Sequence, residues 1–239
     1  MKVGLIAIHQ PNFYPWLGYF NKIQKCDRFV ILDEVQFPKT GGTWMNRVRL
    51  KIGHQTDYFT VPVVRNYSGL RTVREMEIND STEWRTKLIK TLEQSYRRSK
   101  YFSESFSSVV ELIEFKTKSL CEYNLNGIYR FCDILGLDKR KLIFQSELGA
   151  RGQATDLLID LVKNAGGSSY LCGGGAGGYQ EDDKFKAAGI SLIYQNFQHP
   201  SYDQLDLQPF APGLSVIDAL MNLGSAGVSK CLKEIAPWG

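Results

Sequence analysis

The chain contains no C-x-x-C pair. Its five cysteines, Cys26, Cys121, Cys132, Cys172 and Cys231, are an odd number at unrelated spacings, so neither a zinc site nor a disulfide framework is indicated. Reduced thiols are the simplest reading, with Cys172 a buried one. No stretch approaches the roughly 18 apolar residues of a membrane span, and the apolar run after Met1 is far too short for a signal-peptide core. The expectation is a soluble, cytoplasmic protein. No H-E-x-x-H, Walker A or G-x-S-x-G motif occurs, nor any internal repeat, low-complexity tract or long linker. The net charge of +4 is scattered rather than gathered into a stripe. That suits an anionic small molecule and gives no support to a nucleic-acid partner.

What is present is an ordinary globular composition, 239 residues with 43% hydrophobic and 23% charged side chains, long enough for a substantial core. Val3–Ile8 reads as a strand, Pro15–Cys26 as a helix and Arg28–Leu32 as a second strand. A strand–helix–strand of this length is a right-handed, parallel βαβ unit. Trp44–Leu50 and Tyr58–Val64 alternate like antiparallel strands joined around Gly53-His54. From Ser81 the sequence turns helical. S-T-E-W is a partial capping box at Ser81, and Trp84, Leu88, Leu92 and Tyr96 mark one apolar face. Phe106, Val110 and Ile113 suggest a second helix, and Leu120 to Leu135, closed by Gly136, a third. Residues 81–137 are therefore read as a helical insertion. Strands at Lys141–Gln145, Ser169–Cys172 and Ile190–Tyr194 then alternate with helices at Ala154–Ala165, around Asp182–Ala188 and at Leu214–Leu223. In the Ala154–Ala165 helix, Leu157, Leu158, Leu161 and Val162 face inward. The prediction is a single α/β domain over 1–239. It has a parallel, Rossmann-like sheet flanked by helices, a helical insertion and a small antiparallel element.

The candidate site begins at the first strand–helix turn, His9-Gln10-Pro11-Asn12, followed by Trp16 and Tyr19. Open α/β sheets bind ligands at the carboxyl ends of their strands, and a helix amino terminus there offers free N–H groups to phosphate or carboxylate. His9 suits acid–base work. Asp33, Glu34 and Gln36 follow the second strand, so they are expected in the same crevice. Asn46, Arg47 and Arg49 add donors, Arg matching phosphate or carboxylate with a bidentate fork, and Lys51 continues the basic cluster. Gly173 to Gly178 formally contains G-x-G-x-x-G, flanked by Tyr170 and Tyr179. The acidic Glu181-Asp182-Asp183 that follows argues against a pyrophosphate at that point, and no acidic strand end lies about 20 residues on. Gly173, Gly174 and Gly175 are better read as offering backbone N–H groups to another ligand. Near the end, His199, Tyr202, Asp203 and Gln204 form a polar loop, while Ser215, with Asp218 three residues on, reads as a structural N-cap.

Taken together, IHQPNFYPWLGYFNKI, FVILDEVQF, WMNRVRLK, FTVPV, SSYLCGGGAGGY and YDQLDLQPFAPGLSVIDALMNLG resemble the WbqC-like family of bacterial proteins, which accompany surface-polysaccharide (O-antigen) biosynthesis. A fainter likeness connects the opening to HIGH-motif nucleotidyltransferases, of the kind that includes pantothenate synthetase, although Trp16-Leu17-Gly18-Tyr19 stands where H-x-G-H would be. The resemblance implies an enzyme that modifies an amino sugar on a nucleotide carrier, by acyl or aminoacyl transfer to the sugar amine. His9 would be the base, and Asp33 would orient it or the sugar. Gln10, Asn12, Trp16, Tyr19, Gln36, Asn46, Arg47, Gly173, Gly174, Gly175, Tyr202 and Gln204 would bind substrate. The co-substrate stays open between ATP with magnesium and an acyl donor, as does a homo-oligomeric state. The competing readings are an adenylate-forming enzyme that uses ATP and a glycan-binding protein without catalysis.

Overall fold

The computed structural model describes residues 4–173 and 181–235. Val3 and the stretch from Gly174 to Tyr179 lie outside them. The elements are β1 (Leu5–His9), α1 (Leu17–Lys25), β2 (Arg28–Ile31), β3 (Arg47–Ile52), β4 (Gln55–Thr60), α2 (Trp84–Tyr96) and α3 (Phe102–Glu114). They continue with α4 (Leu120–Leu135), β5 (Leu142–Phe144), α5 (Ala154–Asn164), β6 (Ser169–Cys172), α6 (Asp182–Ala187), β7 (Ser191–Tyr194) and α7 (Val216–Glu234). Five strands form a parallel sheet in the order β5-β2-β1-β6-β7, and β3 with β4 forms a separate antiparallel pair. This is an α/β fold.

Strand periodicity decides which residues go to which face. Ala7, Phe29, Ile31 and Leu171 pack with α1, α4 and α7 on one side of the sheet. Ile6, Ile8, Val30, Tyr170 and Cys172 pack with Leu161 and Val162 of α5 and Phe185 of α6 on the other. The central strands β1, β2 and β6 are buried on both faces, which is why they read as short continuous apolar runs. Leu157 and Leu158 of α5 are only half-buried. The helices α2 and α3 pack on each other, and α3 and α4 pack on α7. Asp218 of α7 is fully buried. Its carboxylate accepts from Tyr96 Oη (2.9 Å), Tyr202 Oη (2.7 Å) and Gln204 Nε2 (2.9 Å). Burial pushes this carboxyl above its usual range, and the three donors work against that shift.

Several expected boundaries move for identifiable reasons. The two-residue Gly53-His54 turn sets Ile52 opposite Gln55, and pairing runs only to Arg47 opposite Thr60. Trp44 to Asn46 form a turn instead, because Asn46 Oδ1 accepts from the Thr43 N–H (3.1 Å) and Asn46 Nδ2 donates to the Val61 carbonyl (3.0 Å). The capping box at Ser81 does not form. Helix α2 starts at Trp84, with Glu83 as an N-cap that makes no side-chain bond. Asp80 takes over the junction, accepting from Trp84 Nε1 at 2.8 Å and from the Arg85 guanidinium. Ser215 does cap α7, accepting from the Ile217 N–H. That helix runs well past Leu223, interrupted at Gly224 (φ 69°), where a Cβ would come within 2.6 Å of Tyr101.

Helix α4 ends as its sequence says. Gly136 takes the left-handed conformation (φ 67°, ψ 33°), and its N–H closes the last turn. Gly136→Ala should therefore lower the unfolding free energy by about 1 kcal/mol, measured by urea denaturation, with Gly136→Asn intermediate because Asn tolerates that conformation better.

Candidate functional site

The chain moves outward from β1 to β2 and β5, then returns to the other side of β1 for β6 and β7. The strand order reverses at β1, and a crevice opens at the carboxyl ends of β1 and β6. It has two lobes. The smaller, about 390 Å³, is lined by Trp16, Gly18, Tyr19, Gln195 and Phe197 among others. The larger, about 620 Å³, is lined chiefly by Leu32, Val35, Trp44, the start of α5 and Tyr170. His9, Lys22 and Gly173 line both and so mark their junction. A more open groove of about 820 Å³ lies between β4 and α2. None of its ionisable lining residues is buried, and it has no part in the crevice.

Two side chains set the electrostatics of the junction. His9 ends β1, and its Nδ1 lies 3.2 Å from the Gln10 carbonyl, which also accepts from Tyr19 Oη at 3.1 Å. A carbonyl only accepts, so the proton sits on Nδ1 and Nε2 keeps its lone pair. The ring is edge-on to Tyr19, with centroids 4.9 Å apart. Although it is partly open to the crevice, burial first and the Lys22 charge second hold its pKa down to about 3. Lys22 stands on α1, one turn beyond Gly18 and Tyr19, and its long side chain leans back toward the helix start and the sheet's carboxyl edge. It is 4% exposed, and burial lowers its pKa to about 8. Among the described residues its ammonium makes no side-chain hydrogen bond or ion pair, and no Asp or Glu lines either lobe.

The expected site residues divide accordingly. His9, Gln10, Trp16, Tyr19 and Gly173 line the crevice. Gly174 and Gly175 lie outside the described residues. Asp33 is not beside His9. It lies in a separate depression with Arg74 and Cys121, accepting from the Ser146 N–H (3.1 Å) and Oγ (2.7 Å), with Arg74 at 3.5 Å. The chain turns back right after β2, the Asp33 N–H donating to the Ile31 carbonyl, and this carries the carboxylate away from β1. Gln36 is exposed and bridges to Thr72 through its backbone. Asn12 is buried and lines neither lobe. Asn46 is consumed by the turn it organises. Arg47 lies over the Tyr58 ring, 4.3 Å from its centroid, and lines neither lobe. Lys51 is buried and donates to the Ser95 carbonyl at 2.6 Å. Tyr202 and Gln204 turn inward to Asp218, while His199 stacks on Trp16 (6.3 Å, 19°).

Lys22, Gln195 and the start of α5 were not singled out by the sequence. The signal for Lys22 was its i+3 spacing from Tyr19, which puts both on one helix face. Gln195 follows β7 directly. Its Nε2 donates to the Gly18 carbonyl (2.7 Å) and to Asn21 Oδ1 (3.1 Å), fixing the wall of the smaller lobe to α1. Among the described residues no group of three or more His, Cys, Asp or Glu is placed to hold a metal ion, and no helix is long and apolar enough to cross a membrane.

With this geometry in place, comparison with known proteins is decisive on kinship. The WbqC-like protein family matches residues 10–230, from the crevice turn into α7. The chain belongs to that family. A relative in Mycobacterium tuberculosis, the uncharacterized protein Rv1507c, is 29% identical over 222 residues, which cover 92% of this chain and 94% of its own. No solved structure matches. In this WbqC-like chain the matched region contains every crevice residue named above except His9, which directly precedes it.

The coupling of His9 to Lys22 is measurable. In the native protein the His9 ring should stay neutral from pH 8 down to pH 5, followed by its NMR shifts against those of His54 and His199. Lys22→Met removes the second cause of the depression, so the His9 pKa should rise from about 3 while burial keeps it below 6.5. A native His9 titrating near 6.5 would contradict the assignment.

Proposed function

We propose that the protein is a transferase of surface-glycan biosynthesis that forms an amide on the amino group of a nucleotide-linked sugar. The observation that carries this reading is the meeting of two unlike lobes at His9 and Lys22. A reaction between two bound partners needs its reacting atoms at such a junction. The smaller lobe offers the Trp16 ring and the amide side chains of Gln195, Asn196 and Gln198, a lining suited to a sugar. The larger, partly apolar lobe suits the phosphorylated carrier of the sugar or of the acyl group.

In this reading the sugar amine attacks the acyl carbon. The new C–N bond forms as the bond to the leaving group breaks, and the amine proton passes to His9 Nε2 and on to the leaving group. His9 is neutral at physiological pH, as a base must be before it takes a proton. Burial depresses its basicity most, and an anion beside Lys22 would offset the second cause, the charge of that lysine. The Lys22 ammonium would stabilise negative charge developing on the acyl oxygen or the leaving group. Asp33, bound to Ser146, has no part in these steps.

The test is turnover of uridine- or thymidine-diphosphate amino sugars with acyl and aminoacyl donors, followed by mass spectrometry. His9→Ala should abolish product formation while circular dichroism stays unchanged, and an unchanged rate sinks the proposal. Saturable sugar binding with no product, tolerant of His9→Gln, would mark a binding protein instead.

A further inference from the structure

We propose that the larger lobe holds a phosphoryl or diphosphate group between the amino terminus of α5 and the Lys22 ammonium. Helix α5 has 11 residues and begins on the wall of that lobe, where Ala154, Thr155, Leu157 and Leu158 contribute to the lining. Its N-cap, Gln153, makes no side-chain bond to the helix. The first inward-helix N–H bonds come from Asp156 and Leu157 to the Gln153 carbonyl, and the N–H groups of Ala154 and Thr155 have no partner among the described residues. Free N–H groups and the partial positive charge of a helix start favour an anion.

An independent feature points to the same place. Lys22 comes from the opposite face of the sheet, is 4% exposed and lines the same lobe, and its ammonium has no hydrogen-bond or ion-pair partner among the described residues. A buried ammonium without a counter-charge is costly, and a bound anion would supply the missing charge. The competing carboxylates are engaged elsewhere. Asp156, in the first turn of α5, is exposed and paired with Lys184 at 3.2 Å, and Glu181 is paired with the same lysine. Around the anion, Leu32, Val35, Leu157 and Leu158 form an apolar surface, and the Trp44 ring, 48% exposed, adds a stacking face for a planar group. The chemistry is that of a nucleotide phosphate, supplied either by the sugar's carrier or by an activated acyl donor. The inference rests on the crevice being the substrate site, and not on which group is transferred.

Calorimetry with inorganic pyrophosphate, uridine diphosphate and ATP tests it on the full chain. Pyrophosphate should bind the native protein, and its Kd should rise about tenfold or more in Lys22→Met and in Ala154→Asp. The second variant sets a carboxylate at the helix start. Ala154 is exposed with φ +48°, a conformation that Asp tolerates better than Ala, so the fold should survive the change. Uridine diphosphate binding more tightly than ATP assigns the lobe to the sugar's carrier, and the reverse order assigns it to the activated donor. No saturable pyrophosphate binding, or an unchanged Kd in either folded variant, overturns the site. Binding that behaves as expected without any product from amino-sugar nucleotides would overturn the transfer reaction and leave the anion site standing.

Discussion

The constraint on which everything else depends is the order of the strands. A parallel sheet needs a crossover between neighbours, and this chain makes its crossovers in opposite directions from β1. Helix α1 therefore lies on one face and α5 on the other, and the crevice opens at the carboxyl ends of β1 and β6. Backbone at such an edge is left without ladder partners, so polar side chains and ligands collect there. The position of His9, the approach of Lys22 from one side and the start of α5 on the other all follow from that single reversal.

The chain treats its buried charges unequally. Asp218 has three donors, Asp33 has Ser146 and Arg74, and buried Lys51 has the Ser95 carbonyl. Each is held by fixed partners, as buried polar groups are in stable folds. Lys22 is the exception in the crevice, with the thiols of Cys172 and Cys26 nearby but no fixed acceptor among the described residues. Stability alone would favour Met or Leu at this position. A residue that costs stability where ligands gather is evidence of use, and the same burial that makes Lys22 expensive strengthens its pull on an anion.

Much of this was legible in the sequence, and the losses have a common cause. The parallel strands, Gly136 as the stop of α4 and Ser215 as the cap of α7 follow from local rules, since each depends on a few adjacent residues. The crevice turn was also legible, because His, Gln and Trp beside a strand end have no packing reason to occur together. Asp33, Tyr202 and Gln204 were misplaced because sequence gives a side chain's position along the chain but not its direction. A carboxylate after β2 can point toward β1 or toward Ser146, and only the tertiary fold decides. Lys22 was overlooked for the opposite reason. On a helix surface a lysine is ordinary, and only burial makes it informative.

Two of the ties on the segment between β7 and α7 bear on the crevice wall. Gln195 is bound to α1, while Tyr202 and Gln204 are bound to a carboxylate that also holds Tyr96 of α2. The wall carrying Phe197 is therefore held in place like a tent panel by guy lines, one of which is staked on α2. Tyr96 has no atom in either lobe, yet the room available beside Trp16 is partly written there. Natural or laboratory variation that retunes this crevice for a different ligand has no need to touch it.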